Sequence, residues 1–371
     1  MEEFKLNEQQ PDLLEQYGLN LPVQQRWKEE SAAFGHHEHI SPARITADLG
    51  QKYRLITPYG EMWGELTGKL RYTLSEGGGL PAVGDWIFAE CRHQDGAASI
   101  HGVLSRHSQI SRQAAGSVIK EQIIAANVDV LFLVTALNHD FNLRRLERYL
   151  IMALSSGVTP VILLSKADLC EDPARFIRQA ESIAPGVNVH AISALEDQGL
   201  EQLAPYLSAG TTCALTGSSG CGKSTLLNRL AGQTLQLTQE IREDDSRGRH
   251  TTTHRELFPL PGGAVLIDTP GMRELQLWDG GNDGLSGTFA DIEELAARCR
   301  FRDCRHEREQ GCAVREAIEA GELEPSRLES FRKTARELEF QAAKERQREA
   351  IRAKGTQKKP ARRSSWKSEL D

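Results

Sequence analysis

The sequence predicts a multidomain protein, with a small OB-like β-barrel, then a doubly wound α/β domain, then a short α-helical domain built around a metal site. Three observations carry this prediction. Short β-like runs separated by Gly-rich turns fill residues 43–112. Long apolar runs alternate with helical patterns over residues 113–285, around the glycine-rich stretch GSSGCGKS. Three cysteines and one histidine then fall between Cys299 and Cys312.

Charge and cysteine usage limit the cellular setting. The 371 residues carry a formal net charge of −7, yet residues 332–371 hold 13 Lys and Arg against 6 Asp and Glu. We predict a basic tail over residues 341–371, which either meets RNA or only solubilises the chain. No apolar run approaches the roughly 20 residues of a membrane span, and the stretch MEEFKLNEQQPDLL lacks the basic-then-apolar layout of a signal peptide. We therefore expect a cytoplasmic protein without membrane contact, and its seven cysteines suit metal binding better than disulfides.

The N-terminal part of the chain reads as a leader followed by a barrel. Residues 1–42 are polar with a few leucines, and we expect a short helical or flexible leader. Five short strands with Gly-rich corners over residues 43–112 predict a closed barrel of OB or SH3-like type. Such barrels often bind RNA through aromatic and basic residues on one face. Whether Trp63, Trp86 and Phe88 form that face or only the core stays open from the sequence.

A phosphate loop is predicted at residues 217–224. GSSGCGKS matches the G-x-x-x-x-G-K-[ST] pattern, follows an apolar strand and opens a helical pattern. The backbone N–H groups of such a loop surround the phosphates, and the helix N-terminus adds its dipole. Lys223 should reach the β- and γ-phosphates, and Ser224 should ligate Mg²⁺. The predicted nucleotide-binding residues of this loop are Gly217, Ser218, Ser219, Gly220, Cys221, Gly222, Lys223, Ser224 and Thr225.

The stretch VLIDTPGM, residues 265–272, supplies a second part of the predicted site. Its strand ends in Asp268, where a carboxylate can hold Mg²⁺ through water, and the backbone of Gly271 could sense the γ-phosphate. The polar stretch 244–257 between the two motifs predicts a loop that closes over the nucleotide. Thr252 is its favoured Mg²⁺ ligand, with the threonines on either side as close alternatives. A plain surface loop is the competing interpretation.

An apolar strand ending in SKAD, residues 165–168, predicts recognition of guanine. The Asp168 carboxylate can accept hydrogen bonds from guanine N1–H and N2–H₂, a donor pair that adenine does not present, while Lys166 can lie along the base. The stretch HAISAL adds a companion loop with Ser193 and Ala194, where the Ala194 N–H could donate to guanine O6.

These base-reading stretches precede the phosphate loop in the chain. In a doubly wound sheet, loops that follow different strands meet at one edge whatever the order of the chain. The pattern therefore predicts a circularly permuted P-loop GTPase domain over residues 113–285.

The stretch CRFRDCRHEREQGC has the spacing of a metal site. Cys299, Cys304, His306 and Cys312 make a closed Cys₃His set of the structural zinc type, within a predicted zinc-binding α-helical domain over residues 286–340. Three unpaired cysteines near a helix are the alternative. The neighbouring arginines suggest a surface that faces phosphate, although they could also be solvated; they are Arg298, Arg300, Arg302 and Arg305.

The rotated order, together with RGRHTTTHREL and DTPGMREL, resembles the RsgA (YjeQ) family of circularly permuted GTPases. The likeness extends to AANVDVLFLVTALNHDFNLRRLERYL, to the barrel and to the cysteine cluster, over roughly residues 43–330. It implies a monomer that binds the small (30S) ribosomal subunit and its 16S rRNA, and whose GTP hydrolysis the subunit stimulates during late assembly. It also implies Mg²⁺ with GTP and one structural zinc.

Two residues depart from the family pattern. Ser165 stands where the usual motif has asparagine, so we expect a lost hydrogen bond to the base or to the phosphate loop and a lower guanine affinity. Cys221 stands where a small aliphatic residue is more usual, and we expect it to be tolerated.

The group that activates water is not evident from the motifs. Met272 occupies the position after DTPG where Ras-type GTPases carry a glutamine, and its thioether cannot orient an attacking water. We favour His250 for this role, because a neutral imidazole can accept a hydrogen bond from water. The alternatives are Arg249, His254 and Arg255.

Two rival functions remain possible from the sequence. The first is an RNA-binding module that uses GTP without significant turnover. The second is an ATP-using P-loop kinase, which SKAD and DTPG argue against.

Overall fold

The computed structural model describes residues 13–32, 39–50, 52–76, 79–92, 94–113, 121–138, 140–232, 255–269 and 281–356. Within these ranges no helix combines the length and the apolarity that a membrane crossing requires.

Two short helices of the N-terminal leader pack against the barrel. They are α1 (Leu13–Gln16) and α2 (Leu21–Ser31). Asn20 caps α2, because its side chain accepts a hydrogen bond from the N–H of Val23 at 3.1 Å. Trp27 stacks on Phe88 of the barrel with ring centroids 4.6 Å apart. The side-chain amide of Asn20 also donates to the carbonyl of Gly210, so the leader contacts the central domain as well.

The N-terminal domain is a closed five-stranded β-barrel, as predicted. The strands lie in the order β1-β2-β3-β5-β4, and β4 pairs with β1 to close the barrel. Apolar side chains of all five strands, such as Ile45, Leu55 and Ile100, fill the interior. A helix that the sequence analysis did not predict, α3 (Gly68–Glu76), lies between β3 and β4. The strands are β1 (Ile40–Asp48), β2 (Tyr53–Thr57), β3 (Gly60–Leu66), β4 (Trp86–Arg92) and β5 (Ala97–Val103).

The C-terminal end of the run predicted as the fifth barrel strand, residues 98–112, belongs to a separate hairpin. Residues near 109–112 form β6 (Gln109–Gln113), which pairs with β7 (Glu121–Ala126) and not with the barrel. The barrel strands therefore span residues 40–103.

The central domain is a six-stranded part of the main sheet covered by helices on both faces. Five parallel strands and the antiparallel β12 follow the order β10-β9-β8-β11-β13-β12. Alternate residues of β8 enter opposite cores, with Leu131 and Leu133 on one face and Phe132 and Val134 on the other. The strands are β8 (Val130–Ala136), β9 (Thr159–Ser165), β10 (Asn188–Ala191), β11 (Thr212–Gly217), β12 (Glu256–Pro259) and β13 (Val265–Asp268). The helices are α4 (Leu143–Ser155), α5 (Pro173–Ile183) and α6 (Lys223–Ala231).

The strand order of the central sheet is that of a circularly permuted domain, as the sequence predicts. Strand β11, which leads to the phosphate loop, lies in the middle of the sheet between β8 and β13. The three strands on one side of it precede it in the chain, and the two on the other side follow it. If the chain were rejoined to start at β11, the sheet order would become 6-5-4-1-3-2.

The barrel continues directly into the central sheet. Strand β1 pairs with β12, where Ala47 lies opposite Glu256. The buried guanidinium of Arg44 crosses this junction and donates to the Thr212 hydroxyl at 2.8 Å and to the Gly84 carbonyl at 3.3 Å. Burial lowers the pKa of Arg44 to about 10. The barrel is thus tied to the first residue of the strand that leads to the phosphate loop.

The C-terminal region is helical and is anchored on α4. Its helices are α7 (Gly281–Thr288), α8 (Ala290–Ala296), α9 (Ala313–Glu319) and α10 (Pro325–Thr356). The buried Arg327 of α10 donates to Glu147 of α4 at 2.7 Å and to Asp291 of α8 at 3.0 Å. Helix α10 also runs past the predicted domain boundary at residue 340, so residues 341–356 of the predicted basic tail are helical.

Candidate functional site

The phosphate loop joins β11 to α6 in the middle of the sheet. Gly217 ends β11 with a positive φ, and a Cβ there would lie 2.2 Å from the Val134 carbonyl, so only glycine fits. Gly222 has φ of +94° and directly precedes α6. These conformations let the chain turn sharply from the strand into the helix, whose N-terminus favours an anion.

The side chain of Lys223 contacts the backbone of the phosphate loop. Its Nζ donates to the carbonyls of Gly217 at 2.8 Å and Ser218 at 2.6 Å. Ser224 and Thr225 follow in the first turn of α6, where a hydroxyl can face a phosphate-bound cation. The lysine ammonium is therefore already at the phosphate loop.

Asp268 ends the neighbouring strand β13. It lies beside Leu215 in the parallel register, two residues before the phosphate loop, and it is buried. The next residue, Thr269, donates through its hydroxyl to the Leu215 carbonyl at 2.6 Å. The carboxyl end of β13 is thus fixed beside the phosphate loop.

The two base-reading stretches also meet at this edge of the sheet. Lys166 follows β9 with φ of +58°, and Asp168 lies on the exposed 3₁₀ turn Ala167–Leu169. The N–H of Ala167 donates to the carbonyl of Ile192 at 3.1 Å, which holds this turn against the loop of Ser193 and Ala194.

Ser165 links the base-reading loop to the phosphate loop. Its hydroxyl donates to the Cys221 carbonyl at 2.5 Å and lies 3.3 Å from the Thr135 carbonyl. The hydrogen bond to the phosphate loop is thus present, because the serine hydroxyl reaches the loop backbone directly, whereas the lost hydrogen bond to the base and the lower guanine affinity stay predictions. The Cys221 side chain is buried in the apolar core beneath the loop, which agrees with the expectation that it is tolerated.

The cysteine and histidine residues near the C-terminus form one cluster. The ligand atoms of Cys299, Cys304, His306 and Cys312 all lie within 4.8 Å of one another. His306 Nδ1 is 3.6 Å from Cys299 Sγ and 3.4 Å from Cys312 Sγ. The Sγ atoms of Cys299 and Cys312 are 3.9 Å apart. With Zn–S near 2.3 Å and Zn–N near 2.0 Å, a tetrahedral site has edges of roughly 3.5 to 3.8 Å. The donor set and its spacing fit a zinc ion.

The loop that carries these ligands is held by its own backbone contacts. The Glu309 carboxylate accepts hydrogen bonds from the N–H groups of Arg305, Glu307 and Arg308, which lower the pKa of Glu309 to about 2. Burial, together with the charge of Arg332, lowers the pKa of His306 and so favours its neutral imidazole. The neutral imidazole is the form that binds metal.

Comparison with known proteins identifies relatives of this chain. A family model described as RsgA GTPase matches residues 103–278. The small ribosomal subunit biogenesis GTPase RsgA 2 of Lactiplantibacillus plantarum is 46% identical over 336 residues, which cover 90% of this chain and 91% of that protein. The chain belongs to the RsgA GTPase family.

Solved structures of similar proteins share the architecture. The crystal structure of YjeQ from Thermotoga maritima matches with a TM-score of 0.59 and 25% identity, over 81% of this chain and 98% of that chain. YloQ, a circularly permuted GTPase, matches with a TM-score of 0.58 and 24% identity, over 82% of this chain and 97% of its own. Membership of the RsgA family confirms the resemblance read from the rotated motifs.

Several site residues that the sequence predicts for this chain lie outside the residues that the structure describes. They are His250, Thr252 and Gly271, together with Met272 and the neighbouring threonines. Their roles stay predictions.

One residue at the site was missed by the sequence analysis. The carboxylate of Asp140, in the segment between β8 and α4, accepts a hydrogen bond from the hydroxyl of Ser218 in the phosphate loop. No motif includes Asp140. Its place in the sequence, just after a predicted strand, could still have indicated the site, because the carboxyl ends of adjacent parallel strands such as β8 and β11 lie together.

The barrel and the cysteine loop carry exposed aromatic and basic groups. Trp86 and Phe88 are fully buried, whereas Trp63 is 45% exposed with the Arg54 guanidinium 5.9 Å from its ring centre. Only Trp63 of these three aromatic residues can therefore face a partner. In the cysteine loop, Phe301 is also exposed, and the four arginines that flank the ligands, Arg298, Arg300, Arg302 and Arg305, are all exposed.

Proposed function

We propose that this chain hydrolyses GTP during late assembly of the small ribosomal subunit, and that the subunit stimulates the hydrolysis. The observation that carries the nucleotide part is the hydrogen bond from Ser165 to Cys221, which joins the guanine loop to the phosphate loop at one edge of the sheet. The ribosomal part rests on the relatives, such as the small ribosomal subunit biogenesis GTPase of L. plantarum.

In this proposal each loop of the sheet edge has one task. Asp168 accepts the two guanine donors, and the loop of Ser193 and Ala194 closes the other side of the base. Lys223 exchanges the Gly217 and Ser218 carbonyls for phosphate oxygens when the nucleotide enters. Ser224, Thr252 and Asp268 would hold the Mg²⁺ of the nucleotide, and that cation would neutralise phosphate charge. Gly271 would sense the γ-phosphate through its backbone.

RNA contact is assigned to three surfaces. The barrel offers the exposed ring of Trp63, the cysteine loop offers its arginines, and the residues after α10 add positive charge. We propose that these surfaces bind 16S rRNA of the subunit, and that the protein acts as a monomer in the cytoplasm.

We further propose one structural zinc ion, held by Cys299, Cys304, His306 and Cys312. Four protein ligands leave no open position, so the ion would stabilise the fold and take no part in the reaction.

Replacing Cys304 by alanine should release the metal and unfold the segment between α8 and α10. Apparent zinc-binding energies of small structural sites are on the order of 10 kcal/mol, so the loss should be large and local. GTP affinity should change little, because the nucleotide loops follow strands of the central sheet. Metal analysis, limited proteolysis and GTP titration measure the three effects.

The matched control is Cys91→Ala in the barrel, which should keep its zinc. If the parent protein carries no zinc after purification without chelators, the zinc proposal fails.

The proposed function is tested by GTP turnover with and without purified small subunits. We expect slow hydrolysis alone, strong stimulation by small subunits and none by large subunits. ATP should neither compete nor turn over. Tight GTP binding without turnover under any of these conditions would favour the RNA-binding module, and ATP turnover would favour a kinase.

A further inference from the structure

The segment between β8 and α4 is held at the edge of the phosphate loop. Strand β8 is the parallel neighbour of β11, and Val134 lies opposite Gly217. The N–H of Asp140 donates to the side chain of Asn138 at 2.9 Å. Asn142 then caps α4 by accepting from the N–H of Arg145 at 3.1 Å. The backbone of Asp140 is therefore fixed on both sides.

The carboxylate of Asp140 has two different partners. Its Oδ2 accepts the hydrogen bond from the Ser218 hydroxyl, and its Oδ1 accepts from Arg145 Nη1 at 2.7 Å. The side chains of Asp140 and Arg145 are about one-third exposed, at 33% and 35%. A carboxylate beside a polyphosphate site would repel the ligand, and the guanidinium of Arg145 offsets that charge.

Ser218 is held from two sides. Its hydroxyl bonds Asp140, while its carbonyl accepts from Lys223 Nζ at 2.6 Å. Asp140 thus fixes the residue whose carbonyl the phosphate-binding lysine contacts.

We propose that Asp140 is a positioning residue for the phosphate loop. Through Ser218 it sets the loop conformation and the resting place of Lys223, so that the loop N–H groups are aligned before the phosphates arrive. This inference rests on the proposed GTP binding, and it adds a residue to that same site.

Asp140 could instead serve only α4, through its ion pair with Arg145. A role in the phosphate loop needs an oxygen that accepts from Ser218, whereas a role in α4 needs the negative charge that pairs with Arg145. Asparagine keeps an acceptor oxygen for Ser218 but loses the ion pair, whereas alanine loses both. If Asp140 served only α4, the two variants would therefore show the same nucleotide affinity as each other.

The test compares Asp140→Ala, Asp140→Asn, Ser218→Ala and the Asp140→Ala/Ser218→Ala double variant in the full-length protein. Affinities for GTP and GDP are measured by titration, together with kcat and KM and the thermal unfolding temperature. We expect Asp140→Ala to weaken both nucleotides by roughly 10-fold or more, as for a lost hydrogen bond to a charged group. Asp140→Asn should recover most of this loss, although both variants lose the same ion pair.

The double variant should bind nucleotide no more weakly than Asp140→Ala, because both substitutions remove one shared contact. Asp95→Ala, an exposed aspartate in a barrel turn, is the matched control and should leave affinity unchanged.

Equal defects in Asp140→Ala and Asp140→Asn, or additive losses in the double variant, would overturn the inference. A parent protein that does not bind GTP would overturn the proposed function itself, whereas a parent that binds GTP as tightly as all the variants would overturn only the role of Asp140.

Discussion

Replacing His250 by alanine should abolish most of the GTP turnover that small ribosomal subunits stimulate. GTP affinity and the slow intrinsic rate should stay almost unchanged. The physical reason is that Met272 replaces the water-orienting glutamine, so the isolated chain lacks a group that can align the attacking water. A neutral imidazole can accept a hydrogen bond from that water at neutral pH, whereas an arginine can only donate. We propose that the subunit places His250 in line with the γ-phosphate.

The expected effect is large. Supplying a missing catalytic group in trans is worth roughly 10³ to 10⁵ in rate in other GTPases. Single-turnover and steady-state rates with saturating subunits measure it, and intrinsic turnover without subunits serves as the baseline.

His254→Ala tests the alternative histidine, because it removes the same ring four residues along the same stretch. We expect it to keep stimulated turnover within a few fold. If His250→Ala also keeps it within a few fold, the assignment is wrong, and an arginine of this stretch or a group of the rRNA becomes the better candidate.

Local motifs predicted the parts of the site that depend on short-range chemistry. Gly217 and Gly222 of the phosphate loop both have positive φ, a requirement of the local backbone that glycine meets, so the pattern of the loop is visible in the sequence. The Cys₃His spacing is likewise confined to one short loop. Strand β8 is a continuous apolar run because both of its faces are buried.

Contacts between distant segments could not be predicted in this way. The pairing of β1 with β12 joins two strands about 200 residues apart, and neither strand carries a sign of its partner. Residues 109–112 were placed in the run of the fifth barrel strand, but they lie in β6, whose partner is β7, and a sequence pattern does not identify strand partners. Asp140 belongs to the site only because β8 lies next to β11.

The length of α10 also shows the limit of the apolar pattern. Its apolar face fades after Leu338, and the sequence analysis ended the domain at residue 340. The helix continues to Thr356. Residues 341–354 are rich in Ala, Glu, Lys, Arg and Gln, which have high intrinsic helix propensity.

The second large effect is expected for the base-reading turn. Replacing Asp168 by asparagine should shift the preference of the protein from GTP toward xanthosine triphosphate. The carboxylate accepts from guanine N1–H and N2–H₂, and asparagine presents an amide donor in its place, which suits the C2 carbonyl of xanthine. The turn itself should survive, since the Ala167 N–H to Ile192 bond and the Leu169 N–H to Lys166 bond are made by the backbone.

A site built to satisfy hydrogen-bonding groups rejects a mismatched ligand by roughly 10⁴-fold, so the change in the GTP to XTP ratio should be of about that order. Affinity and turnover with both nucleotides measure it. Asp172→Asn is the matched control, because it makes the same chemical change four residues away, where Asp172 caps α5 and asparagine caps a helix equally well. If Asp168→Asn still prefers GTP as strongly as the parent while Asp172→Asn behaves normally, guanine must be read by another group, and the SKAD turn only shapes the edge of the site.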